Sequence, residues 1–176
     1  SIMEVTDNLQ WQSIMAPAYS YYANNYLLFG EQYGVLYNGY VFDKDANGNR
    51  NACPVGWVVP DYSQWMTLLY YLGGPEVCGG MLKEAGSTHW TALNNSTNST
   101  GFTALPGGRR QASGTFFDIN TAGYWWSGFN NIPKPTGFGN AFNMTDDSDM
   151  VNESMADPNS GVSIRCVFMG EGAFGE

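Results

Sequence analysis

Cys53-Pro-Val-Gly-Trp-Val-Val-Pro-Asp-Tyr-Ser-Gln-Trp-Met-Thr-Leu-Leu-Tyr-Tyr-Leu72 is the stretch whose local structure reads most clearly in this chain. Val58 and Val59 run into Pro60, which keeps the residue before it out of helical angles, so a helix has to begin later. Asp61 is a strong N-cap and Gln64 lies three residues on, the spacing of a capping box. Trp65, Leu68, Leu69 and Leu72 then fall at i, i+3, i+4 and i+7, which is one apolar stripe. Gly73-Gly74 supplies the left-handed backbone that closes a helix. The stretch therefore predicts an amphipathic helix of about three turns, entered through a cysteine and a tryptophan. It marks a core rather than a reaction.

The chain of 176 residues is long enough for one compact domain with a substantial core. Aromatic residues make up 15% and glycines number 22, which points to short strands joined by long, well-packed irregular loops. Sixteen acidic residues against seven basic ones give a net charge of -9. That balance argues against nucleic acid as a partner, since phosphate binding needs a basic face. No run approaches the roughly 20 apolar residues of a membrane span, and no leader with a basic start and apolar centre is present. Cys53, Cys78 and Cys166 lack the paired spacing of a zinc site and share the chain with one histidine, His89. An odd count permits one disulfide and one free thiol.

Residues 1–32 mix Trp11, Tyr19, Tyr21, Tyr22 and Tyr26 with Asn and Ser and support no regular assignment. Tyr33-Gly-Val-Leu-Tyr-Asn-Gly-Tyr-Val-Phe42 reads as a strand. In Asp43–Asn51, Asp and Asn at alternate positions with glycine at the sixth resemble a calcium loop. The twelfth position is Pro54, so the reading is a polar turn, and no metal or other cofactor is expected. Gly79–Gly86 reads as a short helical turn, and Gly101–Arg110, Thr115–Asp118 and Gly123–Ser127 as strands. Gly128–Ser160 is rich in Asn, Asp, Ser, Gly and Met and reads as loop. Gly161-Val-Ser-Ile-Arg-Cys-Val-Phe168 reads as a closing strand.

Several pieces together resemble the Fibrobacter succinogenes major paralogous domain family. They are Tyr33-Gly-x-Leu-Tyr-Asn38, Cys53-Pro-x-Gly-Trp-x-x-Pro60, Trp65 with Leu72-Gly-Gly74, Gly79-Gly-x-Leu-Lys83, Gly101-Phe-x-Ala-Leu-Pro-Gly-Gly108, Tyr124-Trp-Trp-Ser127 and Ser163-Ile-Arg-Cys-Val167. Arg109 departs from the pattern, replacing an aromatic after Pro-Gly-Gly, and Cys78 stands where the family has a small residue other than cysteine. The resemblance implies an α+β, C-type-lectin-like fold over residues 1–176, with a lead-in at 1–16 and a tail at 169–176. It further implies a secreted or surface-exposed bacterial protein whose export signal lies outside this sequence. It pairs Cys53 with Cys166, both in framework pieces, and leaves Cys78 free. The family is also similar to proteins diversified by retroelements, in which a late segment of the fold carries a variable binding face. Here that segment is 127–160, bracketed by framework.

His89 has no acid or nucleophile advertised beside it, so no catalytic role is expected. Enzymes of the formylglycine-generating type share the implied scaffold, but Cys166 sits in an apolar strand that suits a buried or bridged sulfur. The acids at 146–157 read as solvated surface, and Phe142 and Met144, spaced by two, as core. Arg110 and Arg165 are expected to pair with carboxylates that fix loops. Trp125 and Trp126 point to opposite faces, one to the core and the other, Trp126, to a binding surface. The expected function is a non-enzymatic ligand-binding or adhesion module, with a structural or tip subunit of a surface appendage, or an oxidase relative, as rivals. Its partner would be a protein or a surface glycan. The candidate binding residues are Trp126, Phe129, Asn130, Asn131, Phe138, Asn140, Asp146, Asp147, Asp149, Asn152 and Glu153, polar adaptable groups with a few apolar anchors on a rigid scaffold.

Overall fold

In a computed structural model, residues 2–42, 48, 52–91, 96–128 and 139–170 are described. The Asp43–Asn51 loop, apart from Gly48, lies outside the described residues. In chain order the elements are β1 (Met3–Glu4), α1 (Asn8–Ser13), β2 (Ala18–Ser20), α2 (Glu31–Tyr33), β3 (Leu36–Tyr37), β4 (Trp57–Val58), α3 (Tyr62–Tyr71) and α4 (Gly79–Leu82). They continue with β5 (Gly107–Arg110), β6 (Phe116–Ile119), β7 (Ala122–Trp126), β8 (Gly139–Thr145), β9 (Val151–Ala156) and β10 (Val167–Phe168). A five-stranded sheet runs β6-β5-β7-β8-β9, accompanied by a three-stranded sheet β1-β2-β3 and the pair β10-β4. The class is α+β, as expected.

The helix α3 forms as its sequence predicts. Asp61 accepts from the Gln64 N–H at 2.9 Å, and the Gln64 side chain accepts from the Asp61 N–H at 3.0 Å. Trp65 and Leu69 are buried and pack with Leu82, Trp90, Trp125, Phe142 and Met144. Register accounts for the sheet's share of this cluster: Trp125 faces Phe142 and Gly123 faces Met144, so these side chains leave one face together. Phe142 and Met144 are therefore core, as their spacing predicts. Leu69→Ala is expected to cost about 3 kcal/mol, transfer plus cavity, measured by urea unfolding; a cost below about 1 kcal/mol would remove Leu69 from the centre of the core.

The opposite face carries Trp126 and Ala141, which pack with Val162 over Phe42 and Ile164. Trp126 is wholly buried, and its indole N–H donates to the Tyr37 carbonyl at 2.7 Å. It is thus not a binding-surface residue. The sheet is covered on both faces at this point, so both members of the Trp pair are core.

Three further expectations are corrected. Gly128–Ser160 is not all loop, since β8 and β9 form an antiparallel hairpin from Gly139 to Ala156. Asparagine is poor in strands, and Asn140 and Asn143 disguise the alternation that Phe142 and Met144 carry. Tyr33–Phe42 is not one strand: Gly34 at φ 76 breaks it, and Gly39–Phe42 turns as a 3-10 helix. The closing strand is divided among partners, Gly161 bridging Arg110, Val162 bridging Tyr37 and Ser163 bridging Trp125, before β10 pairs β4.

Cys53 and Cys166 are joined in a disulfide and Cys78 is free and buried, as the resemblance implied. Neither framework arginine pairs with a carboxylate among the described residues. Arg110 donates to the carbonyls of Val5, Thr6 and Gly114, and Arg165 to those of Phe102 and Thr103. Both loops are fixed, but by carbonyl acceptors, those of the main chain and, for Arg110, the Asn8 side-chain amide as well.

Candidate functional site

The hairpin β8–β9 distributes the expected binding residues over three places. Phe129, Asn130, Asn131 and Phe138 lie outside the described residues.

The first place is the turn after β8. Lys83 is only 2% exposed, and its ammonium donates to the carbonyls of Thr145 at 3.0 Å and Ser148 at 2.8 Å. Burial lowers its pKa, and Asp149, Asp146 and Asp147 oppose that shift. Asp149 lies 3.8 Å from the ammonium, and its carbonyl accepts from the Gly79 N–H. Asp146 accepts from the Thr91 hydroxyl at 2.6 Å and Asp147 from that of Thr145 at 2.8 Å. The acids are thus a counter-charge around a buried cation that ties the hairpin turn to the core.

The second place is the core-side face of the sheet, beyond the packed region. Asn140 stands opposite Met155, and Glu153 opposite Phe142. Tyr62 stacks on Phe142 at 5.9 Å, and the nearby Glu153 raises its pKa. Met155 is 69% exposed and Tyr62 is exposed as well. The third is the opposite face, where Asn152 pairs with Asn143 beside Tyr124.

β9 forms an edge of the sheet, and only Val151 of its six residues is buried. The Val151 N–H donates away from β8, to the Pro75 carbonyl. By the two-residue alternation of an antiparallel ladder, the backbone groups of Glu153 and Met155 also point outward, off the sheet.

On the Trp126 side of the sheet, next to β9, a half-open cavity of about 310 Å³ is lined by Arg109, Ser113, Tyr124, Ser154, Asp157 and Ser160, over small apolar groups including Ala141 and Val162. The Arg109 guanidinium lies over the Tyr124 ring, 4.7 Å from its centre. Its Nε is 2.9 Å from Asp118 Oδ2, an ion pair without hydrogen-bond alignment. Asp118 Oδ2 also accepts from the Tyr124 hydroxyl at 2.8 Å. Burial first, and then this bond, push the Tyr124 phenol up to about 12, against the pull of Arg109. Sequence reading singled out Arg109 as a departure, yet nothing in the sequence joins it to Ser154 or Asp157, some 45 residues away.

His89 does have an orienting acid. Its Nδ1 lies 2.9 and 3.0 Å from the two Glu84 oxygens, and its ring packs edge-on to Tyr33. No hydroxyl or thiol bonds its Nε2 among the described residues. The pair is a local brace, five residues apart, that the sequence reading missed. Among the described residues no three metal-ligating side chains cluster, and no helix is long and apolar enough to cross a membrane.

This chain belongs to the Fibrobacter succinogenes major domain family, whose sequence model matches residues 2–167. No curated protein and no solved structure matches it.

Proposed function

We propose that this chain is an exported, non-catalytic ligand-binding or adhesion module of the C-type-lectin kind, and that residues 127–160 build its binding face. The carrying observation is the exposed edge strand β9 at the end of a rigid sheet. Among the described residues the outward backbone groups of Glu153 and Met155 have no partner and are open to an extended one, and exposed Glu153, Met155 and Tyr62 lie with half-buried Asn140 on that face. A protein or a surface glycan is the partner class, and the segment's place between framework pieces suits diversification by a retroelement.

The thiols support a binding role over oxidase chemistry. Cys166 is bridged, and burial raises the pKa of Cys78, the opposite of what activates a nucleophile. Native protein treated with iodoacetamide is expected to stay unlabelled, and unfolding should expose one thiol, at Cys78. Rapid labelling of the native protein at Cys78 would favour the oxidase reading.

The direct test is a chimera carrying residues 128–160 from another family member, read on protein and glycan arrays. It is expected to melt within a few degrees of its parent and to take on the donor's binding profile. Single changes at Asn140, Asn152 or Glu153 should shift stability by no more than about 0.5 kcal/mol, the norm for surface sites. A folded chimera that keeps the original profile would place the binding face elsewhere.

A further inference from the structure

We propose that the cavity beside β9 is a binding site for a small hydroxyl-rich carboxylate, the size of a single sugar acid, with Arg109 as its anchor. This rests on the reading of the chain as a binding module and supplies the ligand class for one part of its face.

The argument begins with two adjacent arginines used in different ways. Arg110 is buried and its donors are spent on the carbonyls of Val5, Thr6 and Gly114 and on Asn8 Oδ1. Arg109 points to the other side of β5, where its side chain is 38% exposed and lines the cavity. It is held ready from two directions, by the Tyr124 ring beneath it and by Asp118 at Nε. Its two terminal nitrogens have no hydrogen-bond partner among the described residues. A guanidinium has two donor edges, and Asp118 occupies only the Nε side. The remaining edge presents two parallel N–H groups, which match the two oxygens of a planar carboxylate.

The rest of the wall supplies acceptors. The Ser154 hydroxyl donates to the Ala141 carbonyl, and that of Ser113 to Thr115, so each keeps lone pairs for a ligand. Asp157 uses one oxygen on the Asn159 N–H and has a second available. Acceptors of this kind call for hydroxyl donors, and the alanine and valine floor suits the C–H face of a ring. A volume of about 310 Å³ lies at the small end for ligand sites, room for one ring and not for a chain. The net charge of -9 repels anions at a distance, but screening over roughly 8 Å at physiological salt confines the contest to local groups. Among the residues that line the cavity Arg109 is the one cation and Asp157 the one carboxylate, so the ligand's carboxylate belongs at the open edge of Arg109 and its hydroxyls toward Asp157.

Calorimetric titration of the folded chain at physiological salt, with D-glucuronate, D-glucose, acetate and N-acetyl-dialanine, tests this. Glucuronate is expected to bind at least tenfold more tightly than any of the other three. R109Q should lose at least tenfold in glucuronate affinity, and R109K should recover little of it, since an ammonium has no fork. Because R109Q leaves Asp118 without its cation, S154L, which fills the cavity with Arg109 intact, serves as the second variant and should also abolish binding. Both variants are checked by their melting temperatures. Equal binding of acetate would remove the hydroxyl half of the proposal, and tighter binding of the dipeptide would turn the site into one for peptide carboxylates. Absence of glucuronate binding at millimolar concentration, or binding that R109Q and S154L leave unchanged, overturns it outright. If glucuronate fails while the 128–160 chimera still exchanges array profiles, this inference falls and the binding reading stands.

Discussion

Reduction of the Cys53–Cys166 bridge, or its replacement by C53S and C166S together, is expected to destabilise the fold by about 4–5 kcal/mol. The bonded residues are 113 positions apart, and in the chain-entropy model a loop of that length gives a value in this range. There is a local reason to expect the full effect. The disulfide closes the junction at which β10 meets β4, a sheet of two residue pairs, Val167 with Val58 and Phe168 with Trp57. Beyond it, the Met169 N–H donates to the Gly56 carbonyl. So short a ladder does not hold itself in water, and Val55, Trp57 and Phe168 around it are exposed rather than packed in a core. At 2–4 °C per kcal/mol for a chain of this size, the melting temperature should fall by roughly 10–20 °C. Hydrogen exchange should show β4 and β10 losing protection before α3 does. An unchanged melting temperature in reductant, with both thiols shown to be free, would mean that the C-terminal strand is held by packing instead.

The parts of this structure that were legible in the sequence are those whose partners lie close along the chain. Helix α3 announces itself because its cap, its stripe and its glycine stop fall within Asp61–Gly74. A spacing of two puts Phe142 and Met144 in the core, although the composition of their segment reads as loop. The strand β9 was not legible: Val151-Asn-Glu-Ser-Met-Ala156 has no apolar alternation, because an edge strand buries one residue and takes its register from β8. The N-terminal elements were hidden for a related reason. β1, β2 and β3 are two or three residues long, below the reach of any period. The disulfide came from framework resemblance, since spacing left its pairing open. The candidate site was half legible. Composition singled out the segment, but pairing then spread its residues over both sheet faces and the turn above Lys83. The cavity required Arg109 from β5 to meet Ser154 and Asp157 from the end of the hairpin, and such a meeting is tertiary.

Arg110→Ala is the other substitution expected to cost most, about 3–5 kcal/mol. The guanidinium is fully buried and has no carboxylate partner among the described residues. It lies between Trp11, at 4.2 Å, and Phe116, at 4.9 Å. Its Nη1 donates to the Val5 carbonyl at 2.6 Å, its Nη2 to Asn8 Oδ1 at 2.9 Å and its Nε to the Gly114 carbonyl at 3.1 Å. Burial draws its pKa down to about 10, so it still carries its charge at neutral pH. A buried charge satisfied by dipoles and ring faces is costly to create, and costlier to remove by half. Truncation strands the Val5, Thr6 and Gly114 carbonyls, at about 1–3 kcal/mol for each acceptor left dry, and opens a cavity between two aromatic rings. Partial entry of water reduces the sum to the stated range. Lysine should restore less than half of the loss, because one ammonium cannot span acceptors fixed for a planar fork. The damage should also be directional. Arg110 fastens the segment Val5–Asn8 to β5, so amide protection is expected to vanish first where the Val5 N–H donates to Tyr19, while α3 amides hold until global unfolding. A measured cost below about 1 kcal/mol, or an Arg110→Lys variant as stable as the parent, would show that the N-terminal segment is held by Trp11 packing and not by the guanidinium.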